Sequence, residues 1–122
     1  MNAEDRKAVL AALAEAFGKV VDVTPAEGQP LHVLFEKLLL PAPWTSPARA
    51  LARFNNWPRE RPEFFVAPDV VNRDDQPPRS SSGQAVLGAS WRQFSFGFPW
   101  TEEGADPVRA IQMWVTRFRE TT

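Results

Sequence analysis

The sequence predicts an α+β domain on three observations: a helical repeat opens the chain, short alternating segments cut by proline fill its middle, and a well-capped helical repeat closes it. Twelve prolines in 122 residues exclude long helices from the middle, because an interior proline removes a backbone donor and clashes with the preceding turn. Hydrophobic residues at 43% and charged residues at 24% match an ordinary globular core and not a disordered chain. That length suits one core, so residues 1–122 are read as a single domain.

The opening repeat covers residues 3–17, with Val9, Leu10, Leu13, Phe17 and then Val20 on one stripe at spacings of three and four. Asn2 can cap its start and Gly18 its end. The other side carries Glu4, Lys7, Glu15 and Lys19 between Ala8, Ala11 and Ala12, and should face water. From Leu31 to Leu38 the period becomes two, with Leu31, Val33 and Phe35 on one parity and His32, Leu34, Glu36 and Leu38 on the other. Pro41, Pro43 and Pro47 punctuate a turn around Trp44. A second strand is expected over residues 49–54, and Phe64-Phe65-Val66-Ala67 reads as a short buried strand ended by Pro68.

Residues 72–90 hold Pro77-Pro78, Ser80-Ser81-Ser82 and Gly83 and show no lasting period, so they are expected to be a long irregular connection. Connections beyond roughly 12–15 residues tend to be functional, which makes this the first place to look for a site. Phe94, Phe96 and Phe98 then share one parity, as in a half-buried extended segment. The closing helix is the best-signalled element: Asp106 as N-cap, Pro107 at the first helical position, and Val108, Ile111, Trp114, Val115 and Phe118 on one side. Arg117 and Arg119 suit the negative pole of its dipole.

Composition narrows the chemistry. Without Cys there can be no disulfide, thiolate nucleophile, thioester carrier or thiolate metal site, and nothing points away from the cytoplasm. The N-terminal stretch carries both charge signs and does not read as a secretory signal, and no run approaches a membrane span. Fourteen basic against fifteen acidic residues give a net charge of −1, with no overall attraction to nucleic acid or anionic lipid. His32 is the only imidazole and no Gly-x-Ser-x-Gly elbow occurs, so His32 is read as a packed or hydrogen-bonded residue. Asp74-Asp75 lack the spaced ligands of a calcium loop, and Gly83 and Gly88 belong to no phosphate-binding fingerprint. Arg49, Arg53, Arg59 and Arg61, interspersed with Glu60 and Glu63, read as a solvated strand face. No cofactor is expected.

The order of elements, with Trp57-Pro58-Arg59-Glu60-Arg61-Pro62 after the strand meander and Trp100 six residues before Asp106, resembles the ubiquitin-conjugating-enzyme (UBC-like) fold, in particular its divergent prokaryotic branch. The resemblance spans roughly residues 3–119 and rests on order and spacing. It implies a first helix, a four-strand antiparallel meander, an irregular segment at residues 72–90 and a C-terminal helix. The catalytic Cys of the family would fall within residues 83–90, which read Gly-Gln-Ala-Val-Leu-Gly-Ala-Ser, and the His-Pro-Asn signature is missing. The implied function is a non-catalytic binding module or adaptor for a ubiquitin-like protein or a conjugation or defence-system enzyme. The family docks its activating enzyme on the first helix. The candidate partner-binding residues are therefore Glu4, Ala8, Ala11 and Glu15 on that helix, and Arg79, Ser82 and Gln84 in the long connection. Residue chemistry alone also admits a second class, a small α+β enzyme with its pocket under residues 72–90.

Overall fold

A computed structural model describes residues 1–95 and 98–120. The two expected helices, α1 (Ala3–Phe17) and α2 (Pro107–Arg117), lie on one face of a six-stranded antiparallel sheet. The strands are β1 (Val20–Asp22), β2 (Leu31–Leu38), β3 (Ala48–Phe54), β4 (Glu63–Val66), β5 (Ser81–Val86) and β6 (Ala89–Phe94), in spatial order β1-β2-β3-β4-β6-β5. A 3₁₀ turn over Phe118–Glu120 extends α2.

Local chemistry fixes the helix ends. The Asn2 side chain accepts from the Asp5 N–H at 2.8 Å, and Gly18, at φ +81°, turns the chain while its N–H reaches the Ala14 carbonyl at 2.9 Å. Asp106 accepts from the Val108 N–H at 2.9 Å and Pro107 fills the first turn, where a missing donor costs nothing.

The core is built in rows across the sheet. Asp22, Val33, Ala52, Phe64, Phe94 and Ser81 are successive register partners, polar at both edges and apolar between. On this inner face Phe17 of α1 meets Phe35 edge-on at 5.7 Å, while Trp114 of α2 stacks on Phe64 at 5.7 Å and Phe118 stacks on Phe94 at 4.6 Å. A register shift between Phe35 and Leu38 pairs Leu38 with Ala48. Strict alternation would have put Leu38 on the other parity from Phe35; the bulge returns it to the core side, where it is buried.

The outer face of the sheet has no helix over it, yet Leu51, Phe65 and Trp91 are buried. The guanidinium of Arg53 lies 5.1 Å from the Phe65 ring and that of Arg49 lies 5.5 Å from the Trp91 ring. The end of the β5–β6 hairpin folds back across this face, so that Ala85, Val86 and Leu87 line one cleft with Pro25, Pro30, His32 and Arg53.

Five expectations need correction. Residues 72–90 are irregular only as far as Ser80; β5 and the start of β6 occupy the rest, joined by a two-residue turn with Leu87 at φ +52° and Gly88 at φ +76°. β5 is an edge strand whose residues 82–85 are exposed, so it has no buried parity to read. The sheet has six strands where a meander of four was expected, because β1 and the β5–β6 hairpin join the strands read over residues 31–38, 49–54 and 64–67. Val20 is not part of the helical stripe but opens β1. Phe94 and Phe98 are buried as expected, but regular pairing ends at Phe94, and Phe96 lies outside the described residues. The arginines are not a bare solvated face: Arg49, Arg53 and Arg61 each sit over an aromatic ring.

Candidate functional site

On α1, Glu4, Ala8, Ala11 and Glu15 are all exposed, while Val9 and Leu13 alone of the helix are buried. Small side chains between charged ones leave a low surface to which another backbone can come close. Arg6 anchors the start of the helix to the β1–β2 connection by donating from Nη1 to Thr24 Oγ1 at 3.3 Å and from Nη2 to the Gln29 carbonyl. Thr24 is itself held by its N–H to Asp22 Oδ1 at 2.9 Å.

The second set lies elsewhere. Arg79 is exposed just before β5, and Ser82 and Gln84 are exposed on β5 itself, the strand at the edge opposite β1. Because α1 rests against β1 and β2, the structure unites Glu4, Ala8, Ala11 and Glu15 on one helix and Ser82 and Gln84 on one strand, but it does not join the two sets.

Sequence reasoning missed a polar cluster on the outer face. Arg53 and Glu63 are direct register partners on β3 and β4, and the guanidinium grips the carboxylate twice, Nε to Oε1 at 2.9 Å and Nη2 to Oε2 at 2.7 Å. Gln93 on β6 adds a bond from Nε2 to Glu63 Oε2 at 3.3 Å. The hydrogen bond to Glu63, reinforced by its charge and opposed by burial, holds the Arg53 guanidinium above an arginine's ordinary pKa, so it stays charged. Only the strand register reveals this pair; ten residues of separation in sequence give no signal. His32, as expected, is buried and bonded, with Nδ1 2.7 Å from the Pro30 carbonyl oxygen.

Tryptophans tie distant segments together. Trp100 Nε1 donates to the Pro58 carbonyl at 3.0 Å while its ring lies 5.4 Å from that of Trp57, which in turn meets Phe54 at 5.1 Å. Trp114 Nε1 donates to the Pro62 carbonyl at 3.2 Å. The turn Trp57-Pro58-Arg59-Glu60-Arg61-Pro62 is therefore clamped at both ends from the C-terminal part of the chain.

An open cleft of about 730 Å³ runs between the start of α1, the β1–β2 connection and the β3–β4 turn, lined by Arg6, Thr24, Gln29, Asn55, Asn56 and Trp57 among others. It is not under residues 72–90. The hollows beside that segment are smaller, about 350 Å³ at Asn72, Arg73, Asp74 and Arg119 and about 330 Å³ beside Gly83 and Trp91. Among the described residues no group of three His, Asp or Glu could hold a metal ion, and no helix is long and apolar enough to cross a membrane. No protein-family model, curated protein or solved structure matched the chain.

Proposed function

We propose that the protein is a non-catalytic UBC-like binding module, an adaptor for a ubiquitin-like protein or for an enzyme of its conjugation. One observation carries the reading. The two stretches on which the resemblance rests, the Trp57–Pro58 turn and Trp100 before the last helix, meet in space through the Trp100 Nε1 bond to the Pro58 carbonyl and the 5.4 Å ring contact. Two further facts support it: the candidate residues on α1 form one exposed surface, and residues 83–90, where the resemblance puts the nucleophile, contain no thiol.

The direct test is calorimetric titration of the chain with the ubiquitin-like proteins and the activating and conjugating enzymes of its own host. Binding of one of them is expected. In the presence of activating enzyme and ATP, no reductant-sensitive adduct should form, because there is no thiolate to accept one. Failure to bind any of these proteins, or a reductant-sensitive thioester on the chain, overturns the proposal.

A further inference from the structure

The two edges of the sheet differ. β1 is three residues long, begins after Lys19 and ends on Asp22, and so carries the charges and brevity by which edge strands avoid pairing. β5 is six residues, Ser81-Ser82-Gly83-Gln84-Ala85-Val86, with no charge and no proline.

The hydrogen-bond phase of the hairpin shows which groups of β5 remain available. The Ser95 N–H donates to the Ser80 carbonyl at 2.8 Å, and Ser81 faces Phe94 in register, so Ser80, Ser82, Gln84 and Val86 bond inward to the β6 side. Ser81, Gly83 and Ala85 therefore direct their N–H and C=O groups away from the sheet. The Ser81 carbonyl already accepts from Arg92 Nη2 at 3.0 Å and keeps a second lone pair. A Cβ built on Gly83 would stand off the sheet face and meet nothing within 4 Å, and the backbone there is not left-handed, so a side chain can be placed at this position.

We propose that β5 is a self-pairing edge, through which two copies of the chain join their sheets antiparallel about a two-fold axis at Gly83. The argument for a second copy as occupant is self-complementarity. About that axis Gly83 meets Gly83 of the other copy, and Ser81 meets Ala85, so every outward backbone donor faces an outward acceptor. Ser82 comes opposite Gln84 on both sides of the axis, setting a hydroxyl against an amide twice. The strand carries no charge that could face its own mate, and no side chain larger than Ser stands at a bonded position. A single strand pair buries less than the roughly 1,200 Å² of a stable interface, so the dimer is a weak one. This inference does not depend on the adaptor reading.

Sedimentation equilibrium on the full chain, from about 10 µM to about 1 mM, should show the mass rising from one chain toward two, the range fitting a small interface. Gly83→Pro removes the central outward donor without touching a bond to β6, as proline at a solvent-side edge position does, and should leave a folded monomer throughout. Because the chain has no Cys, Gly83→Cys gives a clean second readout. The two thiols would sit on Cα atoms about 5.5 Å apart and form a disulfide-linked dimer under mild oxidation. Leu87→Cys, whose symmetry mate lies about 27 Å away at roughly 3.4 Å per residue, should not. A wild-type chain that stays single at about 1 mM, a dimer that survives Gly83→Pro, or equal crosslinking of the two cysteine variants overturns the proposal. A β5 that pairs only with an extended segment of another protein would give the first of these results.

Discussion

α1 and α2 lie on the same face of the same sheet but are held by different means. α2, at 11 residues, buries Ala110, Ile111 and Trp114 and continues into buried Phe118. Its Trp114 touches Phe64, Phe94 and Phe98 and bonds to the Pro62 carbonyl, and Trp44 Nε1 bonds to the Phe118 carbonyl at 2.8 Å. α1 is longer, at 15 residues, yet buries only Val9 and Leu13 and turns a row of alanines to water. The difference teaches that α2 is part of the core, whereas α1 is a surface element whose outer side is free to serve something other than stability.

The largest expected effect tests the α2 half of this contrast. Trp114→Ala should destabilise the protein by about 3–5 kcal/mol in urea unfolding, the range for losing a large buried aromatic, because it also strands the Pro62 carbonyl and uncouples the Trp57–Pro58 turn. A cost below about 2 kcal/mol would mean that Phe64, Phe94 and Phe98 close the gap without it. Next in size, Leu13→Ala should cost about 2–4 kcal/mol, since Leu13 is the most deeply buried side chain of α1. If it cost more than Trp114→Ala, α1 would be the anchor and the contrast would be reversed.

Both helices were legible in the sequence because capping and period agree there: Asn2 and Gly18 bracket the first, and Asp106 with Pro107 open the second ahead of a well-defined apolar stripe. β2, β3 and β4 were legible because proline bounds them and apolar residues fill them. The hairpin was not. Only Val86 of β5 is buried, and the turn is Leu87-Gly88 where Asn-Gly is the strong signal. The outer-face cluster failed for another reason, since Arg53, Glu63 and Gln93 meet only once three strands are in register. For the candidate site, the exposed side of α1 followed from period alone, while the separation of that helix from Ser82 and Gln84 depends on strand order, which no local pattern encodes.

The turn offers a smaller and opposite effect. Leu87 holds φ +52°, a conformation that costs a leucine more than an asparagine, and its side chain is 45% exposed. Leu87→Asn should therefore stabilise the protein by about 0.5–1 kcal/mol, raising the melting temperature by a few degrees. A lower melting temperature would show that Leu87 gains more from packing at the tip, beside Pro25 and Asn55, than it loses in the backbone.

The smallest expected effect on stability is the most informative about function. Ala11 is exposed and Ala12, the next residue, is half-buried, so the same substitution at the two positions separates surface from support. Ala11→Arg should change stability by no more than about 0.5 kcal/mol, since arginine is nearly as good a helix former as alanine and the new side chain points to water. Ala12→Arg should cost about 1–3 kcal/mol by forcing bulk toward the sheet. Circular dichroism melts compare the two directly, and equal losses would mean that α1 has no free side. With the fold intact, Ala11→Arg sets a long charged side chain in the middle of the row formed by Ala8, Ala11 and Glu15. Under the adaptor reading it should weaken binding to the conjugation-system partner by tenfold or more, about 1.4 kcal/mol, because a close-packed surface cannot admit it. Charge reversal at the end of the helix, Glu4→Lys, should instead alter mainly the association rate and its dependence on salt. Unchanged affinity for Ala11→Arg would move the docking surface off α1.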